Sequence, residues 1–239
     1  MSDLATKLAT YQPSPQTVDL IRATSILFIV GISGSGKDTI IHKLIERGNY
    51  YLIISHTTRH PRINQAILEK DGLDYHFITL EKAEDLVDAK AFVEAKIYSG
   101  NVYGTTAAEI QKAQEAHKIA ITALEVQGVA AYKAIDVRVK AAFILPPSYD
   151  EWQARIRKRY GLAIDPADYQ KRMEAAVREL EEVLDTDYYA CFVNDDLEKV
   201  TDEIDRFAVS GERDDVAERQ ARELAKQLLE EARDKLSKL

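Results

Sequence analysis

The sequence predicts an α/β fold in which helices wrap a parallel sheet that carries a phosphate-binding loop. Apolar segments of strand length alternate along the chain with segments of helical spacing. A five-residue apolar run at 26–30 leads directly into the turn Gly31–Thr39, and helical spacing resumes at Ile40. The turn reads Gly-x-x-x-x-Gly-Lys, and a strand before it and a helix after it are the setting that a phosphate-binding loop requires. Alternating strands and helices around such a loop imply a parallel sheet.

Composition limits the class of protein. The chain has 239 residues, of which 46% are hydrophobic and 30% charged, which suits one globular domain with at most an appendage. The net charge of −8 argues against sequence-independent binding of nucleic acid. The single cysteine, Cys191, can form no internal disulfide. No secretory signal opens the chain, and its apolar runs are too short to span a bilayer. We therefore expect a cytoplasmic protein without a membrane or nucleic-acid partner.

The glycine-rich turn has the chemistry of an anion site. Its glycines allow successive backbone N–H groups to turn inward, the following helix adds partial positive charge, and Lys37 can reach the outer phosphates. The position after the lysine usually carries a hydroxyl that contacts Mg²⁺, but here it is Asp38, and Thr39 comes one place too late. The residues predicted to surround the phosphates are Gly31, Ser33, Gly34, Ser35, Gly36, Lys37, Asp38 and Thr39.

The remaining elements follow in order. Residues 1–24 form an extension interrupted by Pro13 and Pro15, with a helical turn around 18–23. We expect this extension either to pack on the domain or to be locally disordered. Strands are predicted at 52–54, 92–98, 102–106, 119–124, 139–145 and 188–193, and helices at 80–91, 107–117, 126–135, 148–160, from 165 and at 194–207. Ser148 and Glu151 form a capping box at the start of one helix.

The last segment, 211–239, differs in composition. It is dense in charge, with acid-to-base pairs four residues apart such as Glu218 and Arg222, and it carries a narrow stripe of alanines and leucines. We interpret it as a solvated helix with one apolar side. That side either packs on its own domain or pairs with a second copy, which makes a homodimer possible.

Six blocks of sequence, taken in order, resemble the guanylate kinase family. They are Gly31–Thr39, Ser55–Arg62, Asp74–Phe77, Gly100–Thr105, Phe143–Ser148 and Asn194–Leu197. The resemblance covers about residues 25–207. It implies a P-loop kinase that transfers a phosphoryl group from ATP to GMP or dGMP with Mg²⁺. It also implies a small GMP-binding subdomain at about 56–105 and a lid at about 155–172.

The resemblance assigns residues to the GMP pocket. Arginine forks and tyrosine hydroxyls suit a phosphate, while a carboxylate suits the N1–H and 2-amino donors of guanine and a hydroxyl suits O6. On this basis Glu94 reads the base. The full set of GMP-binding residues that the resemblance implies is Ser55, Arg59, Arg62, Glu69, Tyr75, Glu94, Tyr103, Thr105 and Glu125. Surface arginines and an outward-facing strand glutamate are the simpler interpretation of the same residues.

The resemblance also assigns residues to the ATP side. Arg155, Arg159 and Arg172 match arginines of the lid, and together with Lys37 they would surround the moving phosphoryl group with positive charge. Asn194 matches a position near adenine, although a helix cap explains it equally well.

The chain departs from the family at two places. Asp38 replaces the hydroxyl residue, and we expect its carboxylate to bind Mg²⁺ directly or through water. The family's Asp-x-Asp after the strand at 119–124 is Ala123-Leu124-Glu125 here, so that one acid is missing and the other is longer.

Two other functions compete with guanylate kinase. Ribose 1,5-bisphosphate phosphokinases resemble this family and can carry Gly-Lys-Asp in the loop. Guanylate-kinase-like modules of scaffold proteins bind phosphorylated peptides and typically have degraded loops. The intact loop ending at Lys37 argues against a scaffold module, and Glu94 together with Arg59 argues for a nucleotide.

Overall fold

The computed structural model of the chain describes residues 2–64, 67–161 and 164–238. The helices are α1 (Ser2–Ala9), α2 (Pro15–Ala23), α3 (Lys37–Glu46), α4 (Leu80–Asp88), α5 (Ala107–Glu115), α6 (Val126–Ile135), α7 (Tyr149–Tyr160), α8 (Pro166–Asp185), α9 (Leu197–Ser210) and α10 (Asp215–Leu236). The strands are β1 (Ile26–Val30), β2 (Tyr50–Leu52), β3 (His56–Thr57), β4 (Ile63–Asn64), β5 (Ile67–Leu68), β6 (His76–Phe77), β7 (Phe92–Tyr98), β8 (Asn101–Thr106), β9 (Ile119–Ala123), β10 (Lys140–Leu145) and β11 (Tyr189–Val193).

The chain divides into two compact units. The phosphate-loop unit consists of Leu27–Gly48, Ala123–Val129 and Lys140–Leu239. The mixed-sheet unit consists of Met1–Ile26, Asn49–Thr122 and Ala130–Val139.

The phosphate-loop unit is built on parallel strands in the order β11-β10-β1. All five residues of β1 are buried, and in β10 every residue after Lys140 is buried. Continuous apolar runs of this kind are typical of parallel strands that are covered on both faces. The predicted parallel sheet flanked by helices is confirmed. Helices α3 and α9 pack together, and Arg47, the residue that follows α3, pairs with Asp202 and Asp205 of α9.

Helix α10 packs against α8 and β11 of its own chain. Its apolar stripe is buried there through Ala221, Ala225, Leu228, Leu229 and Ala232. Polar contacts join the same surfaces, because Glu218 accepts a hydrogen bond from the Cys191 amide at 2.8 Å and Arg222 donates to the Val183 carbonyl at 2.9 Å. Of the two predicted alternatives for this helix, the structure shows that α10 packs on its own domain. The apolar stripe therefore does not support the predicted homodimer.

The mixed-sheet unit carries a four-stranded sheet in the order β6-β3-β8-β7. Strands β7 and β8 form an antiparallel hairpin, whose two-residue turn holds Ser99 and Gly100 at φ of 46° and 76°. Two consecutive positive φ angles are typical of the turn that best fits the twist of a hairpin. The hairpin register places Glu94 directly opposite Thr105. The same unit contains the parallel pair of β2 and β9.

The N-terminal extension forms two helices that pack on the mixed-sheet unit. Leu4 of α1 is buried in a cluster with Phe92 and Val102, and the Tyr11 hydroxyl donates to the Phe92 carbonyl at 2.8 Å. Ser14 caps α2, with Pro15 at the first helical position. Packing is thus the correct alternative for this segment. The sequence predicted only a helical turn around 18–23. It predicted neither α1 nor the start of α2 at Pro15.

Several predicted boundaries shift in the structure. The second strand spans Tyr50–Leu52 rather than 52–54, and the helix predicted to reach residue 91 ends at Asp88, close to the positive φ of Lys90. Two residues of the predicted lid, 162 and 163, lie outside the described part of the chain. Among the described helices, none is both long and apolar enough to cross a membrane.

Candidate active site

The turn between β1 and α3 forms a cradle of backbone amides. Gly31, Gly34 and Gly36 have φ angles of 137°, 89° and 97°, which residues with a side chain rarely adopt. Gly36 is immediately followed by α3, so the free N–H groups of the first helical turn point toward the loop. A cavity of about 160 Å³ here is lined by Gly34, Gly36, Lys37, Asp38, Thr39, Arg155 and Arg159. The geometry suits a chain of phosphates.

Gly31→Ala should destabilise the protein strongly, because a Cβ at this position would lie 2.3 Å from the Ile144 carbonyl oxygen. Backbone strain and overpacking together suggest a loss of roughly 2–6 kcal/mol in the free energy of unfolding. Gly48→Ala is the matched control, since its φ is also positive but nothing lies within 4 Å of the added carbon. We expect that control to lose only about 1 kcal/mol. Urea denaturation measures both, and equal losses would contradict the packing argument.

Lys37 is held inside the loop. Its Nζ donates to the carbonyl oxygens of Gly31 and Ile32, the second at 3.1 Å. Burial lowers the pKa of Lys37, while the charges of Glu179 and Asp38 act in the opposite direction. The pKa of Glu179, in turn, is raised to about 7, chiefly by burial. The loop carbonyls thus hold Lys37 Nζ at the cradle, where phosphate oxygens can replace them.

Side chains from later elements fix the outer surface of the loop. The Trp152 indole donates to the Ser33 carbonyl at 2.8 Å, and the Asn194 amide donates to the Ser35 carbonyl at 2.8 Å. Arg155 donates to the Asn194 carbonyl at 3.0 Å. The structure thus gives Asn194 a bracing contact with the loop. It does not cap α9, because Asp196 accepts the capping hydrogen bond from the Lys199 amide.

The two other lid arginines differ in their surroundings. Arg159 lies 3.6 Å from the Asp38 carboxylate, and both side chains are well exposed. Arg172 donates to the Tyr160 hydroxyl at 2.9 Å, and its guanidinium carbon lies 3.8 Å from the centre of the Tyr160 ring. Arg155 and Arg159 therefore line the cavity at the loop, whereas Arg172 is stacked on an aromatic ring.

In the mixed-sheet unit, Arg59 is the centre of a polar cluster. Its guanidinium forms a two-pronged pair with the Glu69 carboxylate at 2.7 and 3.0 Å and donates to the Tyr103 hydroxyl at 3.2 Å. The Arg59 guanidinium carbon also lies 5.3 Å from the centre of the Tyr75 ring. Arg62 joins this cluster through its backbone, because its amide donates to the Glu69 carboxylate at 2.8 Å and its carbonyl accepts from the Glu69 amide at 2.9 Å. Arg59, Arg62, Glu69, Tyr75 and Tyr103 are thus brought together.

Glu69 occupies the arginine fork that the sequence assigned to a phosphate. Burial acts to raise the pKa of Glu69, but hydrogen bonds from Arg59 and from the Arg62 amide outweigh it and hold the pKa below its usual range. The carboxylate therefore orients the Arg59 side chain. A phosphate would compete with it for the same N–H groups.

A second group of polar side chains lies two residues further along β8, at Thr105. The Ser55 and Thr105 hydroxyl oxygens are 3.4 Å apart, and Glu94 is opposite Thr105 in the hairpin ladder. Tyr132 of α6 is completely buried near Glu94. Burial first, and the negative charge of Glu94 second, raise the pKa of Tyr132 well above its usual range. One carboxylate and two hydroxyls are thus grouped, a set that complements a ligand with both donors and an acceptor.

Glu125 belongs to the phosphate-loop unit and not to the unit that carries the other predicted base-side residues. It is exposed, and its charge acts on the pKa of both Lys37 and Glu179. Among the described residues, no group of three His, Cys, Asp or Glu side chains is arranged to hold a metal ion. Mg²⁺ commonly takes one or two carboxylates and completes its shell with water and substrate phosphates, so Asp38 beside the loop fits that mode.

Several residues of these sites escaped the sequence analysis. Trp152 supports the loop, and Glu179 faces its lysine from α8. Both lie on helices, and a helical pattern does not reveal which of its residues meets the loop. The sequence also did not single out Tyr132 and Glu109 of the mixed-sheet unit. A helix sequence does not reveal which strand its buried face meets.

Comparison with known proteins decides the family. The family model described as guanylate kinase matches residues 23–210. The guanylate kinase of Schizosaccharomyces pombe is 35% identical over 212 residues, covering 87% of this chain and 96% of the yeast protein. The chain belongs to the guanylate kinase family. The guanylate kinase of Sus scrofa is 33% identical to this chain over 172 residues. The match covers 71% of this chain and 84% of the pig protein.

A solved structure supports the fold of this guanylate kinase family member. The crystal structure of guanylate kinase from Anaplasma phagocytophilum matches with a TM-score of 0.59 and 24% identity, covering 85% of this chain and 94% of the other. Membership of the family makes the chain a nucleotide-binding kinase. Helix α10 begins at Asp215, beyond the matched range of the family model.

Proposed function

We propose that this chain is a guanylate kinase that transfers the terminal phosphoryl group of ATP to GMP, giving ADP and GDP with the help of Mg²⁺. The observation that supports this proposal best is the position of Glu94 opposite Thr105 in the hairpin. The Ser55 hydroxyl oxygen lies 3.4 Å from that of Thr105. Guanine has two adjacent donors and one acceptor on this edge, which a carboxylate and hydroxyls complement. The proposed base contacts use no ribose 2′-hydroxyl, so dGMP is a second acceptor within the same proposal.

In the phosphate-loop unit, the chemistry is electrostatic. The amides of Gly31–Thr39 bind the ATP phosphates, and Lys37 exchanges its two loop carbonyls for phosphate oxygens. Arg155 and Arg159 line the same cavity and add charge around the transferred group. Arg172 completes the proposed set from its stacked position on Tyr160. Phosphoryl transfer needs little covalent chemistry from a protein, so alignment and charge supply the catalysis.

In the mixed-sheet unit, Arg59 and Arg62 bind the GMP phosphate with the hydroxyls of Tyr75 and Tyr103. Arg59 donates to the Tyr103 hydroxyl oxygen at 3.2 Å, which leaves the hydroxyl hydrogen of Tyr103 able to donate to a phosphate oxygen. Glu69 keeps the guanidinium plane oriented before the substrate arrives. Asp38, in the phosphate-loop unit, would hold Mg²⁺ directly or through water, and the ion would supply positive charge beside the phosphates. Glu125, which belongs to the phosphate-loop unit, stands where the family has the second aspartate of its Asp-x-Asp, and its side chain is longer by one methylene.

Asp38→Ala should raise the Mg²⁺ concentration needed for half-maximal activity by about tenfold, the size expected when a support of a metal ion is lost. Asp38→Ser restores a hydroxyl at this position and should retain most activity with an altered metal dependence. A titration of activity against Mg²⁺ measures both variants. Full activity of Asp38→Ala at low Mg²⁺ would show that the carboxylate has no role at the metal.

A coupled assay of ADP release tests the function itself. The acceptors are GMP, dGMP, AMP, UMP and ribose 1,5-bisphosphate, each with ATP and Mg²⁺. We expect GMP and dGMP to be used and AMP and UMP to be rejected. Preferred turnover of ribose 1,5-bisphosphate would establish the alternative kinase, and failure to bind ATP would favour a phosphopeptide-binding module. A cytoplasmic location remains part of this proposal, as does the absence of a nucleic-acid partner.

A further inference from the structure

Glu109 is a buried acid at the start of α5, outside every group of residues discussed above as a ligand contact. Its side chain is only 3% exposed. A carboxylate at such a position is costly unless several donors satisfy it. Three donors do so here: the Ile54 amide at 3.1 Å, the His76 ring at 3.1 Å and the Lys112 ammonium at 2.6 Å.

These donors keep the carboxylate ionised. Burial acts to raise the pKa of Glu109, but the hydrogen bonds from Lys112, Ile54 and His76 outweigh it, so the pKa lies below its usual range. An ionised carboxylate only accepts, so Nε2 of His76 must carry the proton in this contact. The His76 ring also packs on His56 with ring centres 4.6 Å apart. Burial, with the His76 charge as the second cause, lowers the pKa of His56 to about 4, which keeps that ring neutral at physiological pH.

The three segments that meet at Glu109 are those that carry proposed GMP contacts. Ile54 directly precedes Ser55, His76 directly follows Tyr75, and α5 begins two residues after Thr105. The His76 amide donates to the Ser55 carbonyl at 2.8 Å, which closes the junction on the other side. The backbone of Ser55 is therefore held from both directions, by Glu109 through Ile54 and by the strand of His76.

We propose that Glu109 is a positioning residue, which sets the distance between the base-side hydroxyls of Ser55 and Thr105 and the phosphate-side ring of Tyr75. The inference rests on the proposed function. Glu109 does not touch the substrate in this account, so its removal should loosen the binding of GMP and leave the ATP phosphate loop unaffected. A charged residue at position 109 suits its surroundings, because an apolar side chain there would leave the N–H of the His76 ring without this acceptor.

Glu109→Gln is the decisive variant. A glutamine has a single acceptor oxygen, so at least one of the three donors must face its NH₂ group. We expect the KM for GMP to rise about five- to tenfold, which corresponds to the loss of about one hydrogen bond. The KM for ATP should change less than twofold. Glu109→Asp, which keeps the charge but is shorter by one methylene, should raise the KM for GMP by a smaller factor and provides the test if the glutamine variant does not fold.

A control variant lies on the same helix. Glu115→Gln changes an exposed acid that accepts from Gln111. This variant should keep the wild-type KM for GMP. If the folded Glu109 variants keep that KM, or if the KM values for GMP and ATP rise by the same factor, the positioning role is wrong. If the wild-type chain itself fails to phosphorylate GMP, the proposed function is wrong instead.

Discussion

Glu94→Gln should reduce kcat/KM for GMP by roughly 10²- to 10³-fold. Guanine presents two adjacent donors, and a glutamine side chain would oppose one of them with its own NH₂ group. Sites built to bind a polar edge discriminate by up to about 10⁵-fold when the partner group is missing, and glutamine retains one of the two acceptors. The affinity for ATP should stay within twofold, because Glu94 belongs to the mixed-sheet unit and the phosphate loop to the other. Steady-state kinetics with each substrate varied in turn measures both effects.

Glu81→Gln is the matched control for this prediction. Glu81 lies on α4 of the same unit and is exposed, so the same chemical change should leave both KM values unaltered. Equal losses toward GMP and ATP in Glu94→Gln would contradict a base-reading role. They would indicate instead that Glu94 matters for the stability of the hairpin or of its contact with Tyr132.

Lys37→Met should reduce kcat by about 10²- to 10³-fold, the usual effect of removing one preorganised donor from a developing negative charge. The methionine keeps the length of the side chain but removes the ammonium group that now bonds to the loop carbonyls of Gly31 and Ile32. Binding of GMP should change little. Single-turnover measurements separate the transfer step from binding and release of nucleotides.

Lys43→Met tests the specificity of that effect. Lys43 lies two turns further along α3 and pairs with Glu198 at the surface, away from the loop. We expect the control to retain wild-type kcat, because an exposed ion pair contributes little to stability. A Lys37→Met variant with near-normal kcat would exclude the loop lysine from phosphoryl transfer and with it the proposed mechanism.

The backbone of the phosphate loop was predictable because its chemistry is local. Gly31, Gly34 and Gly36 each require a conformation that other residues avoid, and the strand and helix beside them have strong apolar periodicity. The two strands of the hairpin, predicted at 92–98 and 102–106, were equally clear. Long-range pairing was not. The contact of Arg59 with Glu69 depends on how the intervening loop folds back, and the sequence alone assigned both residues to the ligand.

The extensions show the same division between local and long-range information. The charge pairs and apolar stripe of α10 predicted a helix, but two surfaces could have covered the stripe, and only the packing of α10 on α8 and β11 distinguishes them. Helix α1 escaped prediction because it is short and its stability comes from Leu4 packed beside Phe92 and from the pairing of Lys7 with Asp88. Isolated helices of this length are not stable in water.

A crystal structure of the protein with GMP bound shows whether the mixed-sheet unit recognises guanine. We expect the base to lie against Glu94, with its N1–H and 2-amino group donating to the carboxylate, and the phosphate to lie between Arg59 and the hydroxyls of Tyr75 and Tyr103. A crystal in which this pocket stays empty at saturating GMP, or in which it binds ribose 1,5-bisphosphate with Glu94 uninvolved, would contradict the account.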